Sequence, residues 1–188
     1  MENKLFIPTA QGLVDFVKTC MKVPHIYLWD GNGQYVTTDL VNKLAAQYPD
    51  WYTPEKKAVR LTLADKGIRG WDCIGIIKGY AWNDYHQDNT AWYREDNDYD
   101  TKGVIKAAKV QGTIDDMPEK PGLVLWKTGH VGVYIGDGQV IDVTCSTHAT
   151  DITHLVGGIQ QRPIEACGWT HWLEYPGIDY SEGTTQGQ

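Results

Sequence analysis

The feature that most constrains this chain is a change of texture near Pro121. Before it, apolar residues recur at helical spacing. After it come short β-rich runs, "LVLW", "HVGVYIG" and "QVIDVT", separated by turn residues. Helices first and strands second is the order of an α+β domain, not of alternating βαβ units. A chain of 188 residues can bury the core of one such domain.

The helical half divides at its caps and turns. Leu13, Phe16, Val17, Cys20 and Met21 mark a first helix within Gln11–Lys22, just after "PT". "VPHIYLWDGNG" reads as a short extended segment and a glycine turn. Val41, Leu44, Ala45 and Tyr48 mark a second helix ending near Pro49. "TPEKKAVRLTLADKG" predicts a third, capped by Thr53, opened by Pro54 and closed by Gly67. Asp72 is placed to cap a fourth, on which Cys73, Ile76, Ile77, Tyr80 and Ala81 form one stripe. "NDYHQDNTAWYREDNDYDTKG" is polar and irregular, as a long surface loop would be. A short helix over Thr101–Gln111 then turns Val104, Ile105 and Ala108 inward. Another β-like passage lies between Ile159 and Leu173, and "SEGTTQGQ" has linker composition. This predicts a single domain over 1–178 and a flexible tail over 179–188.

Composition narrows the function classes. Hydrophobic content of 41% with 22% charge suits a soluble globular protein. A net charge of −7, with no basic cluster, argues against nucleic acid as a partner. The four cysteines are scattered and form no CxxC pair, which suits synthesis in a reducing compartment. The start lacks a secretory signal and no segment could span a bilayer, so the expectation is a protein made in the cytoplasm, without membrane insertion. Eight Trp and eleven Tyr against two Phe suit a cleft that grips sugars or peptides, or equally a Trp-rich core with amphipathic rims.

Cys73 is the first candidate for chemistry. A helix N-terminus favours thiolate, and its N–H groups can receive an oxyanion. The plainer reading is a buried thiol heading the apolar stripe. A nucleophile needs a base, and "KTGHVGVYIGDGQVID" offers His130 at the start of one strand and Asp142 on the next. A two-residue turn at Asp137–Gly138 would send His130 and Asp142 to opposite faces. A three-residue "GDG" loop would set Gly132 opposite Asp142, with His130 its diagonal neighbour on the same face. Turn rules lean to the first, the chemistry demands the second, and the second is adopted here. Gly132, lacking a side chain, leaves room for the two to meet.

Other clusters are weaker. Cys145, His148, His154, Cys167 and His171 fit no compact zinc spacing. Asp96, Asp98 and Asp100 begin like a calcium loop but lack the glycine and terminal glutamate, so a solvated acidic loop is expected. Trp169, His171 and Trp172 either buttress a cleft or pack in the core.

"YLWDG", "DCIG" opening a helix, "PGLVLW" and "GHVGVYIGDGQVID", in that order over Gln11–Trp172, give the chain a clear likeness: it resembles NlpC-type cell-wall cysteine peptidases. The resemblance implies a papain-like α+β fold, with N-terminal helices packed on a central antiparallel sheet. It implies Cys73 as nucleophile, His130 as base, Asp142 as its orienting residue and Tyr27 as a neighbour at the oxyanion site. Trp71 and Asp72, beside the cysteine, join Tyr27 as candidates for the oxyanion and substrate side. The implied reaction is cleavage of a D-glutamyl–diamino acid amide in peptidoglycan stem peptides, without cofactor or metal, by a monomer. Muramoyl-alanine amidase action and non-catalytic wall binding are the alternatives. The long form and "GWTHW" resemble lysins of Gram-positive bacteria and their phages, which act on the wall after release. The sequence departs from the family pattern at Ile74, where serine is usual, and at Asp30, where glycine is usual. About forty residues, 32–71, separate "YLWDG" from "DCIG".

Overall fold

The computed structural model describes residues 6–82, 93–145 and 155–181. Among them are five α-helices: α1 (Ala10–Cys20), α2 (Thr38–Gln47), α3 (Pro54–Leu63), α4 (Gly75–Ala81) and α5 (Thr101–Ala107). A side-chain oxygen caps four of them directly: Thr9, Thr37, Thr53 and Asp100 accept from the N–H groups of Gly12, Leu40, Lys56 and Gly103. Each bond satisfies a first-turn donor that has no partner within the helix. The fourth helix is held from further upstream, where Asp72 Oδ1 accepts from Ile74 and Gly75 at 3.1 and 2.6 Å.

Three helices differ from expectation, two in where they end and one in where it begins. The third stops at Leu63, before Gly67, because Asp65 turns away with φ 61° and gives its N–H to Val36 O at 2.9 Å. The fifth stops at Ala107, since Gln111 already belongs to a strand. The fourth begins two residues after Cys73 and is buried on every side rather than along one stripe. Its one charge, Lys78, meets Asp98 at 2.7 Å.

The strands form two sheets. β1 (His25–Tyr27), β2 (Asn32–Tyr35) and β3 (Arg69–Trp71) make a small sheet of order β1-β3-β2, parallel between β1 and β3 and antiparallel between β2 and β3. The larger sheet is wholly antiparallel, in the order β4-β9-β5-β6-β7-β8. Its strands are β4 (Gln111–Thr113), β5 (Val124–Lys127), β6 (His130–Gly136), β7 (Gln139–Thr144), β8 (Gly158–Pro163) and β9 (His171–Leu173). The α+β class and the antiparallel sheet agree with the sequence reading.

The β6–β7 hairpin combines the two alternatives weighed above. Asp137 and Gly138 form the tight turn, with φ 53° and 67°, and Gly136 faces Gln139 across it. The register then slips between Tyr134 and Gly136, leaving Ile135 as the extra residue of a bulge. From there on Gly132 pairs with Asp142, so His130 and Asp142 share a face.

One apolar core joins α1, α4 and the large sheet, with Leu13, Ile77, Leu123, Val131 and Leu173 fully enclosed. A second gathers Ile26, Leu28, Val36, Val41 and Leu44 around α2, α3 and the small sheet. The forty-residue insertion therefore leaves by β2 and returns by β3 on one sheet, carrying its own apolar cluster. The tail begins later than the sequence suggests. Asp179 exchanges hydrogen bonds with Pro8 and Ala10, and buried Tyr180 donates to Gly122 O at 2.9 Å. Residues 182–188, like 83–92 of the polar stretch, lie outside the described residues.

Gly75 fixes how closely α4 approaches the Gly31 turn. A Cβ there would sit 1.9 Å from Gly31 O, a backbone atom that cannot rotate away. Gly75→Ala is expected to cost about 1–3 kcal/mol, lowering Tm by roughly 3–10 °C in calorimetry. An unchanged Tm would show that the two segments are not locked together.

Candidate active site

Cys73 sits on the floor of an open cleft of about 600 Å³. Tyr27, Trp29, Asp30 and Tyr48 are among its lining residues, with Tyr99, Asp100, Thr101 and Gly103. The residue is only 8% exposed. Its sulfur lies within hydrogen-bonding reach of the Val131 N–H, next in sequence to His130.

The electrostatics correct the expectation of a helix-stabilised thiolate. Burial, with the Asp72 carboxylate second, pushes the Cys73 thiol up to about 12, outweighing the N–H groups of Val131, Ile74 and Cys73 itself. The helix gives little help because its first turn starts at Gly75 and Asp72 already uses the Ile74 and Gly75 N–H groups. Those two donors are therefore closed to an oxyanion, which leaves the N–H of Cys73. Tyr27 lines the same cleft, and burial keeps its phenol protonated and able to donate.

The candidate base is held on the sheet. His130 Nε2 lies 2.6 Å from Asp142 Oδ2. With the proton on Nε2, the nitrogen that faces the carboxylate, Nδ1 is left as the basic nitrogen. The imidazole stacks on buried Trp169, with centroids 5.4 Å apart and planes 11° from parallel. Gly132 makes this possible: a Cβ there would come within 3.1 Å of both Asp142 Cβ and the Trp169 ring. Arg162 of β8, a residue the sequence reading passed over, donates through Nε to Asp142 Oδ1 at 3.1 Å and through Nη2 to Oδ2. Burial alone would raise the Asp142 carboxyl, but its bonds to His130 and Arg162 prevail and hold it below the usual range.

The other candidates separate into roles. Asp72 braces the turn that carries Cys73, accepting also from Asp30 N at 3.0 Å. Burial pushes its carboxyl up to about 6, against the pull of Lys78 and the Gly75 and Asp30 N–H groups. Trp71 does not join the substrate side as expected: at 1% exposure it is sealed in the core by the central strand of the small sheet. His171 packs edge-on against Trp126, and Trp172 Nε1 donates to Asp116, so neither approaches the relay.

The metal alternatives disperse. Asp96 pairs with Arg94, Asp98 with Lys78, and Asp100 caps α5, so the three carboxylates serve separate partners. Cys145 donates to Leu155 O, Cys167 lies beside Arg162, and His148 and His154 fall outside the described residues. Among the described residues one group has metal-ligating atoms within 4.8 Å of one another: His130, Asp142 and Cys167. The Arg162 guanidinium already supplies the cation there, bonding both Asp142 and the Cys167 sulfur.

A thiol held near 12 reacts through a small thiolate fraction. The rate of Cys73 alkylation by iodoacetamide is expected to rise about tenfold per pH unit from 7 to 10. A rate already flat from pH 6 would mean a standing thiolate–imidazolium pair instead. No family model matches the chain, and no curated protein or solved structure matches it either.

Proposed function

We propose that this protein is a cysteine hydrolase of peptidoglycan that cleaves an amide bond of the stem peptide, with a papain-like disposition of its groups. The observation that carries the reading is the relay Arg162–Asp142–His130, built on a buried carboxylate, whose strand also meets the sulfur of Cys73 at the floor of an open cleft. The carboxylate fixes which ring nitrogen carries the proton, and the arginine behind it and the Trp169 ring hold the imidazole in one orientation.

The neutral thiol sets the order of events. His130 Nδ1 takes the proton of Cys73 as the sulfur attacks the carbonyl carbon. The Asp142 carboxylate offsets the imidazolium charge that forms. The oxyanion is received by the Cys73 N–H and the Tyr27 hydroxyl. His130 then gives the proton to the departing amine, leaving a thioester on Cys73. Water, deprotonated by the same imidazole, releases the acid and restores the thiol. Each step uses groups of this chain, so turnover is expected to persist in chelator.

The preferred bond is the one between D-glutamate and the diamino acid. Digestion of purified sacculi, read by mass spectrometry, is expected to leave dipeptide-bearing glycan and release peptides that begin with the diamino acid. Released peptides beginning with alanine would identify an amidase on the same relay. Cys73→Ala is expected to abolish the clearing of wall suspensions while melting like the parent protein; a variant that still clears them overturns the mechanism.

Arg162→Lys keeps the charge and loses the planar fork. A fall of about 10–100-fold in kcat is expected, with a shifted acidic limb of its pH profile and little change in KM. An unaltered pH profile would show that Arg162 does not act through Asp142.

A further inference from the structure

Trp29 is the exposed member of an otherwise packed aromatic stack. The residue is 40% exposed, although its ring lies on Trp51 with centroids 5.7 Å apart and planes 25° from parallel. Trp51 in turn stacks on Tyr27 at 5.4 Å and carries the Lys56 ammonium 4.3 Å from its centroid. The plane of the outer indole is thus fixed from one side, while Trp29 still lines the cleft that contains Cys73. A rigid, exposed indole at a cleft wall offers a flat apolar face that a ligand can cover.

The groups beside it are polar and specific. Tyr48 donates its hydroxyl proton to Asp30 Oδ2 at 3.0 Å, and Gln47 Nε2 donates to Tyr48 Oη at 3.0 Å. Asp30 itself holds φ at 64°, a left-handed conformation that glycine adopts at lower cost. The chain nonetheless carries a carboxylate there, anchored through its N–H to Asp72 Oδ2. The Asp30 carboxylate is thereby held as an acceptor at the rim of the aromatic face.

We propose that Trp29, Asp30 and Tyr48 form a pyranose subsite that stacks one N-acetylated sugar of the glycan strand bearing the stem peptide. The flat C–H face of a pyranose matches the indole, and its peripheral hydroxyls are donors for Asp30 and partners for Tyr48. Charge agrees with a neutral ligand. Asp30, Asp72, Asp98 and Asp100 line the cleft, and Lys78, the one ammonium among its described lining residues, is already paired with Asp98. A sugar carrying an anionic group beside Asp30 would meet repulsion. The identity of the sugar rests on the peptidoglycan reading, whereas the stacking platform stands apart from the hydrolytic chemistry. The enzyme would then engage stem peptides still attached to glycan and use the sugar to place the peptide over Cys73.

The test uses the full chain carrying Cys73→Ala, with tetra-N-acetylchitotetraose as probe, followed by titration calorimetry and saturation-transfer NMR. Saturable binding at millimolar concentration is expected, with saturation strongest on ring C–H protons. Adding Trp29→Ala is expected to weaken binding about tenfold or more, as loss of a covered aromatic face implies. Trp29→Phe, which keeps a ring, should retain most of it, and far-UV circular dichroism checks that both variants are folded. No saturable binding, or binding undiminished by Trp29→Ala, overturns the subsite. Sacculus digestion by the protein with Cys73 intact is scored separately. Cleavage without chitotetraose binding removes the subsite and keeps the hydrolase. Trp29-dependent binding without cleavage removes the hydrolase and keeps the subsite.

Discussion

The carboxylate of Asp142 is the constraint to which the rest of the site answers. Its side chain is wholly removed from solvent, and a buried anion is tolerated only when charge and hydrogen bonds replace the lost water. His130 and Arg162 supply both, and taking one away would leave a buried charge short of a partner at about 3–5 kcal/mol. The bulge at Ile135 turns His130 to the same face, Gly132 leaves the space, and Trp169 holds the ring flat. Because this carboxyl is held below its ordinary range, its contribution to stability is present above that range and lost as pH falls through the folded-state value.

Cys73 and Asp72 pull in the opposite sense. Both are driven toward their neutral forms by burial, the thiol to about 12 and the carboxyl to about 6. The thiol's contribution to stability is complete below the ordinary thiol pKa and lost as pH rises toward 12. That of Asp72 is greatest in acid and is lost as pH rises through about 6. At neutral pH the fold therefore holds Asp72 ionised against its desolvation, supported by three backbone N–H groups. The fold accepts that cost to keep the Cys73 turn and the Asp30 turn in one piece. Stability gives way to placement here, as it does at the left-handed backbone of Asp30.

What could be read in the sequence was mostly local. Thr53 is legible as a cap, and Thr9, Thr37 and Asp100, not named as caps from the sequence, act through the same local side-chain chemistry. The runs that became β5, β6 and β7 carried their own alternation and turns. The strands β3 and β4 escaped because three-residue strands have no period to detect and exist only through their partners. The hairpin register was right for an incomplete reason: the tight turn and the shared face are reconciled by a bulge that no residue type announces. Arg162 could have been found only with the β7–β8 register in hand. It pairs with Val140, two residues from Asp142 along the same face, which makes it a diagonal neighbour of that carboxylate. Its signal is long-range, as is the burial that raises the Cys73 thiol, and composition and spacing carry neither.

The insertion between β2 and β3 is tied to the cleft by one side chain. Arg60 of α3 is fully buried and has no carboxylate partner among the described residues. Its guanidinium instead donates to the main-chain oxygens of Tyr27 at 2.8 and 3.1 Å and of Lys56 at 3.0 Å, with Leu155 and Val156 at 3.3 Å, and lies over the Trp51 ring. Five donors in a planar fork can satisfy several carbonyls at once, which an ammonium cannot do. The bond to Tyr27 O fixes the strand whose side chain faces Cys73, and the ring beneath supports Tyr27 and Trp29 together. A segment that looks dispensable in sequence therefore supplies the cation and the aromatic layer on which one wall of the cleft is built. Shortening it to a simple loop would remove the support of Tyr27 and Trp29 while leaving Cys73, His130 and Asp142 in the chain.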